Sequence, residues 1–254
     1  MDIRFDNKIV LVTGSSRGIG RTAAFMFAKK GASVVLQYHR NGDMAKELLS
    51  EMPGDNHSVY SCDIGDPKAV EEFTRLVFDK YGRVDVLVNN AGIFEEHDIM
   101  ELNYESWQST WNRTLDVNLK GAANISFLIA KKMKDLGGCR IVNVSSRGAF
   151  RGEPGAPAYG ASKAGMNAFG QSLSKALAKY KIYVFTVAPG FVDTDMAAYA
   201  MIGKRADEIR RQSPLNRIAA PEEISRTILF LASEGSEFLT GCIVDQNGAS
   251  YLRS

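Results

Sequence analysis

The sequence has little of what marks several large classes of protein. Only three of its 254 residues are cysteine and three are histidine, and none stands at a spacing typical of a zinc ribbon or a redox dithiol. The 31 basic and 29 acidic residues leave a net charge of +2, without the basic excess that nucleic-acid binding proteins usually carry. No stretch approaches the roughly 18 apolar residues of a membrane span, and no signal-peptide pattern opens the chain. We therefore expect a cytoplasmic protein with reduced thiols and with no metal, nucleic-acid or membrane partner.

What the chain does contain is a regular alternation of strand and helix patterns. Between seven short β-branched segments lie longer stretches with apolar residues at helical spacing. Several of the segments are apolar throughout, as a strand buried on both faces must be. This order predicts an α/β fold: one domain over residues 1–254, with a seven-stranded parallel sheet and helices on both faces. The predicted strands are residues 8–13, 33–38, 59–62, 84–89, 140–145, 182–188 and 242–244.

Local signals place two of the helices and one long loop. Asp66 before Pro67 predicts a helix start, and Gly82 predicts its end. Pro221, followed by two glutamates, predicts the start of another helix. Residues 193–220 break the alternation, and a long excursion of this kind is often a lid or a binding loop. In the helix that starts after Asp66, Val70, Phe73 and Val77 form the apolar stripe. In the helix that starts at Pro221, the stripe is Ile224, Ile228 and Leu231.

The first predicted strand runs directly into a glycine-rich turn and then a helix. Residues 13–20 read TGSSRGIG, with Gly14, Gly18 and Gly20 in a GxxxGxG pattern. Glycines in such a turn allow a tight bend and close approach of a pyrophosphate, which the helix N-terminus then binds. The pattern predicts a dinucleotide site, and a purely structural strand-to-helix turn is the alternative.

The end of the second strand usually selects the cofactor. An acid there binds the ribose 2′-hydroxyl and repels a 2′-phosphate, but this strand ends in Tyr38, His39 and Arg40. Arg17, in the glycine turn, is expected to face the same ribose. Two guanidinium groups suit a 2′-phosphate, so we predict NADP(H) over NAD(H), with NAD(H) still possible. The alternative is that Arg40 is only a solvated loop cation.

Ser146, Tyr159 and Lys163 form a candidate catalytic group. Tyr159 and Lys163 are four residues apart, so on a helix they share a face. An ammonium beside a tyrosine favours the phenolate and makes that side chain a workable acid–base group. Ser146 follows the fifth strand, where its hydroxyl can hold a carbonyl. Out of context, such a Tyr–Lys pair is usually a packed ring beside a solvated cation.

Together these motifs resemble the short-chain dehydrogenase/reductase family over about residues 6–248. The resemblance rests on TGSSRGIG, on NNAG at 89–92, on Ser146, on Tyr159-x-x-x-Lys163 and on Pro189-Gly190. It implies a single-domain, doubly wound Rossmann fold and a homotetramer. It further implies that Tyr159 donates a proton during ketone reduction and that Ser146 orients the carbonyl. It also implies that Lys163 binds the nicotinamide ribose and lowers the pKa of the tyrosine, and that Asn118 supports a proton relay.

The resemblance also implies further cofactor contacts. Asp63 and Ile64 would lie at the adenine, and residues 90–92 at the adenosine ribose. Asp63 alternatively caps its own turn, and Asn90 alternatively stabilises only the sheet. The complete predicted cofactor set is Gly14, Ser16, Arg17, Gly18, Ile19, Gly20, Tyr38, His39, Arg40, Asp63, Ile64, Asn90, Ala91, Gly92, Tyr159, Lys163, Pro189, Gly190, Val192 and Thr194.

Within the family, the chain is most similar to the 3-oxoacyl-acyl-carrier-protein reductase type. Segments 189–196, 213–217 and 221–224 carry this similarity, but many alcohol, sugar and steroid dehydrogenases share them, so the substrate does not follow. Phe185 and the segment 244–249 depart from the type. A cofactor-sensing protein without catalysis is the alternative from another class, and the four intact catalytic positions speak against it.

The segment 196–216 is expected to cover the substrate. Ile202, Ala206 and Ile209 are predicted to form one face of a short helix. Its basic residues either meet the acidic surface of an acyl carrier protein or are simply solvated. These residues are Lys204, Arg205, Arg210 and Arg211.

Overall fold

The structure, a computed structural model, describes residues 3–198 and 200–253. Its centre is a seven-stranded sheet in the order β3-β2-β1-β4-β5-β6-β7, in which all neighbouring strands are parallel. The predicted Rossmann-type α/β fold is therefore confirmed. The strands are β1 (Ile9–Val12), β2 (Ser33–Tyr38), β3 (Ser58–Ser61), β4 (Val86–Asn89), β5 (Cys139–Val144), β6 (Ile182–Pro189) and β7 (Ile243–Gln246).

Helices connect the strands and cover both faces of the sheet. No helix in residues 3–198 and 200–253 is both long and apolar enough to cross a membrane. The helices are α1 (Gly18–Lys29), α2 (Gly42–Glu51), α3 (Pro67–Tyr81), α4 (Tyr104–Leu115), a π-helical turn (Asp116–Gly121), α5 (Ala122–Met133), α6 (Gly148–Arg151), α7 (Pro157–Leu177), α8 (Asp195–Ala198), α9 (Gly203–Arg211) and α10 (Pro221–Ala232), with short 3₁₀ turns at Ala178–Tyr180 and Glu237–Leu239.

The strand β1 is apolar throughout, because each face of the sheet meets its own helical layer there. In β1, Val10 and Val12 belong to the layer that includes α1 and α10, whereas Ile9 and Leu11 belong to the layer of α3 and α5. All four side chains are buried. β1 therefore shows no alternation of polar and apolar residues, as expected for a strand that is buried on both faces.

The local helix signals also behave as predicted. The Asp66 side chain accepts a hydrogen bond from the backbone N–H of Lys68 at 2.9 Å, and Gly82 ends α3 at φ +70°. The apolar stripes of α3 and α10 are buried. Capping and periodicity therefore place both helices correctly.

The segment 193–220 contains α8 and α9, and one prediction in it is wrong. Ala206 and Ile209 are buried, but Ile202 is 71% exposed. Ile202 precedes the first turn of α9 with extended backbone, so it does not continue the helical face.

The sheet order places the candidate site. β1 has β2 on one side and β4 on the other, so the connections leave the sheet in opposite directions at this point. Ligands of open α/β sheets bind in the crevice that such a reversal opens at the carboxyl ends of the strands.

Candidate active site

A cavity of 890 Å³ lies at the carboxyl ends of β1, β2, β4, β5 and β6, with α8 and α9 over it. Nineteen of the 20 predicted cofactor residues and three of the four predicted catalytic residues line it. The two exceptions, Gly20 and Asn118, lie behind its wall. This volume is in the usual range for a small-molecule or cofactor site.

The glycine turn forms one end of the cavity and is closely packed against the loop after β4. Gly14 has φ +63°, and a Cβ there would lie 2.8 Å from the Cα of Ala91. A Cβ on Gly20 would lie 2.3 Å from the Gly14 carbonyl oxygen. Gly20 therefore acts by letting α1 approach the turn, and it does not face the cavity.

Asn90 holds this turn in place. Its Nδ2 donates to the carbonyl oxygens of Thr13 at 2.9 Å and Gly14 at 3.0 Å. The Thr13 hydroxyl in turn accepts from the backbone N–H groups of Asn90 and Ala91, each at 3.0 Å. Asn90 thus stabilises the glycine turn, and it also lines the cavity.

Gln37 is a residue that sequence reasoning missed. It is buried in β2, where its Oε1 accepts from the Gly14 N–H at 2.8 Å and its Nε2 donates to the Cys62 carbonyl at 2.7 Å. The side chain therefore ties the glycine turn to the end of β3. The available signal was a single amide in an otherwise apolar central strand, SVVLQY.

The predicted ribose end of the cavity carries several charges. Nη1 of Arg17 lies 3.5 Å from Oδ2 of Asp195, and both side chains are about half exposed. Nε2 of His39 lies 3.8 Å from Oδ2 of Asp63. Asp63 also accepts from the Gly65 N–H at 2.9 Å, which is the alternative turn-capping contact. Arg40 also lines the cavity, so both predicted guanidinium groups belong to its wall.

Tyr159 and Lys163 lie in the first two turns of α7, which begins at Pro157. The Lys163 side chain is buried, and its Nζ donates to the Val144 carbonyl at 2.8 Å and lies 5.9 Å from the centre of the Tyr159 ring. Lys163 is therefore not the solvated cation of the alternative interpretation. Burial lowers its pKa to about 8, because the ammonium form loses its hydration, so the group is still mostly charged at pH 7.

Ser146 follows β5 and, like Tyr159, lines the cavity. Its Oγ accepts a hydrogen bond from the Gly148 N–H at 3.0 Å, which orients the hydroxyl. The Tyr159 ring packs edge-on against Phe94, with ring centres 5.0 Å apart. The two hydroxyl-bearing side chains thus line one cavity from separate, well-packed elements.

Asn118 is fully buried in the π-helical turn behind the cavity. Its amide forms two hydrogen bonds with the Ile93 backbone, 2.9 Å from Nδ2 to the carbonyl and 2.8 Å from the N–H to Oδ1. A Cβ on Gly92 would lie 3.3 Å from Asn118 Oδ1 and 3.4 Å from Lys163 Nζ. Gly92 therefore occupies the narrow space between the two side chains. Single π-helical turns of this kind are frequent at functional sites.

The loop after β6 forms the remaining wall. Gly190 donates its N–H to the Gln246 carbonyl at 3.1 Å, and Val192 pairs with Ala219. Thr194 approaches the glycine turn, since a Cβ on Gly18 would lie 3.1 Å from its Cγ2. The segment 189–194 therefore reaches the glycine turn at Thr194.

The sequence model of the family described as short chain dehydrogenase matches residues 8–204. The chain belongs to this family. It is an oxidoreductase of the NAD(P)-dependent short-chain dehydrogenase type.

Curated relatives and solved structures agree with the family. The chain is 36% identical to the 3-oxoacyl-[acyl-carrier-protein] reductase FabG of Thermotoga maritima, covering 98% of this chain and 100% of the relative. It is 34% identical to the FabG of Escherichia coli, with the same coverage. A Burkholderia cenocepacia short chain dehydrogenase solved in complex with NADP has a TM-score of 0.87 and 29% identity, and the alignment covers 97% of this chain and 99% of the other.

The residues present fit a nicotinamide dinucleotide. The glycine turn and the start of α1 line the cavity, and helix N-termini bind phosphates well. In the described residues, no group of three or more His, Cys, Asp or Glu side chains is placed to hold a metal ion.

Proposed function

We propose that the protein reduces a carbonyl group to an alcohol with NADP(H), and that Tyr159 is the proton donor. The observation that supports this most is the buried Lys163, whose charge lies under the Tyr159 ring at the wall of the cavity. Burying an ammonium group destabilises the fold, and here the buried charge lies beside a tyrosine whose acidity it would raise.

The cofactor, when bound, supplies the hydride. Tyr159 would donate its phenolic proton to the carbonyl oxygen, and Ser146 would donate a hydrogen bond to the same oxygen. The Gly148 N–H already occupies a lone pair of the serine hydroxyl, which leaves its proton free to point at the substrate. Lys163 would stabilise the phenolate, and Asn118 would hold the Ile93 backbone and support proton return to the site.

The preference for NADP(H) is part of the proposal. It is supported by Arg17 and Arg40 in the wall of the cavity, by the lack of an acid at the end of β2, and by the neighbour solved with NADP. Guanidinium groups match phosphate oxygens, whereas a bare ribose gains little from them.

Cofactor kinetics test this preference. We expect kcat/KM to be at least tenfold higher with NADPH than with NADH, and Arg40→Gln to reduce that ratio about tenfold. Lys46→Gln is the matched control, because it removes the same charge from an exposed position of α2 outside the cavity lining. A wild-type preference for NADH would contradict the proposal.

The substrate class needs a panel assay of NADPH oxidation. 3-Oxoacyl thioesters are the first test, because the curated relatives are named as reductases of such substrates. Sugars, steroids and simple ketones represent the other dehydrogenases that share these motifs. If none of the carbonyl compounds is reduced, the cofactor-sensing alternative is favoured.

Docking of an acyl carrier protein to α9 is a further part of the proposal. Arg210 and Arg211 lie in the last turn of this basic helix. Charge reversal at both positions should raise KM for a carrier-bound substrate and leave KM for the corresponding pantetheine thioester unchanged. An unchanged KM for both substrates contradicts docking at this helix.

We also propose that the protein is a cytoplasmic homotetramer. Light scattering of the purified protein tests its oligomeric state.

A further inference from the structure

Two arginines converge on one neutral oxygen beside Ser146. Nη2 of Arg147 donates to Oε1 of Gln212 at 2.5 Å, and Nη1 of Arg151 lies 3.4 Å from the same oxygen. Arg147 directly follows Ser146, and Gln212 directly follows α9. All four of these residues line the cavity.

Arg147 is unusual because it is a buried cation with neutral partners. It is 3% exposed, and its other guanidinium partner is the hydroxyl of Ser250. Within residues 3–198 and 200–253, no carboxylate oxygen lies within 4.0 Å of its guanidinium. Its plane also packs over the Phe191 ring, 4.9 Å from the ring centre. Burial lowers the pKa of Arg147 to about 10, and a buried charge of this kind normally has an ionic partner.

Glu153 is an acid that acts electrostatically on this pair, and it does not fill the role of an ionic partner. It lies close enough to influence both arginines electrostatically, but it forms no ion pair with either. Burial raises the pKa of its carboxyl group, which weakens it further as a counter-ion. The three charges together leave an excess of one positive charge beside the reacting site.

We propose that the substrate carries an anionic group, a carboxylate or a phosphate, that binds to Arg147 and Arg151. The Gln212 amide oxygen stands where an oxygen of that group would bind, because two guanidinium groups directed at one acceptor match an oxyanion better than an amide. This inference rests on the proposed carbonyl reduction and specifies its substrate. It predicts selectivity for anionic carbonyl compounds over neutral ones.

Calorimetric titration of the NADP⁺-loaded protein tests the inference. The carboxylate probes are 2-oxobutanoate, acetoacetate and levulinate, each compared with its methyl ester. The phosphate probe is dihydroxyacetone phosphate, compared with dihydroxyacetone. We expect at least one anionic probe to bind tenfold or more tightly than its neutral partner, and the pair that does so identifies the anion.

Three variants separate anion binding from a structural role. Arg151→Gln should remove the tenfold preference by weakening only the anionic probe, and Gln212→Glu should do the same by placing a carboxylate between the arginines. Arg226→Gln is the matched control on the exposed side of α10, and it should leave the preference unchanged. Equal weakening of anionic and neutral probes by Arg151→Gln would show that the arginines only hold the fold together.

The outcomes distinguish this inference from the proposed function. Equal binding of every anionic and neutral pair, with NADPH-dependent reduction of a neutral 3-oxoacyl thioester intact, overturns only the anion inference. A protein that binds neither NADP⁺ nor NAD⁺ contradicts the proposed function. In that case the same titrations of the free protein still decide whether Arg151 binds anions.

Discussion

Replacing Lys163 by methionine should stabilise the protein at neutral pH, although it removes a catalytic group. The folded protein holds this lysine at a pKa of about 8, against 10.5 for a solvated side chain. At 1.36 kcal/mol per pKa unit, this difference makes the buried ammonium cost about 3 kcal/mol of the free energy of unfolding at pH 7.

The pH dependence of this cost has a defined sign. Below pH 8 the lysine is protonated in both the folded and the unfolded protein, so the full cost is present. Between pH 8 and 10.5 the unfolded chain binds the proton and the folded protein does not, so stability rises with pH. By pH 10 the free energy of unfolding of the wild type should therefore rise by about 2 kcal/mol. Lys163→Met should show no such rise, because methionine does not titrate.

Urea unfolding of the two cofactor-free proteins at pH 7, 8, 9 and 10 measures this effect. Subtracting the two free energies removes the titration of all other groups, provided that the m-values agree. The difference should favour the methionine variant most at pH 7 and shrink steadily toward pH 10. If the difference between the two free energies of unfolding does not change with pH, Lys163 is not a buried, charged group.

Three further predictions follow from local geometry. Gly14→Ala should weaken NADPH binding at least tenfold in a fluorescence titration, because the new Cβ clashes with the loop after β4 at an unfavourable φ. Asp66→Ala should cost about 1 kcal/mol in urea unfolding with an unchanged m-value, because α3 loses its cap. Cys62 and Cys139 should not react with a thiol reagent at pH 8 until the protein unfolds, since burial raises both pKa values to about 12; rapid labelling of the folded protein would contradict this.

The order of strands and helices could be predicted because it depends on patterns a few residues long. Apolar runs bounded by turn residues identify buried strands, and Asp66 before Pro67 identifies a helix start. The placement of Ile202 could not be predicted from spacing, because its backbone is extended and α9 begins only at the next residue. Hydrophobic periodicity does not show where such a boundary falls.

The candidate site was predictable where a motif joins residues that are close in the chain. Tyr159 and Lys163 are four residues apart, so helical geometry alone places them together. The convergence of Arg147, Arg151 and Gln212 joins β5, α6 and the end of α9 across about 60 positions, and no local pattern indicates it. Gln37 was missed for the same reason, since its partners lie in other elements of the sheet.

The most direct test of the central claim is Tyr159→Phe, assayed with NADPH and a carbonyl substrate of the wild type. The change removes only the phenolic oxygen, and the remaining ring can still pack against Phe94. We expect kcat to fall at least a hundredfold, with NADPH affinity within about threefold of the wild type, because general acid catalysis contributes rate factors of roughly this size. Turnover near the wild-type rate in this variant would contradict Tyr159 as the proton donor.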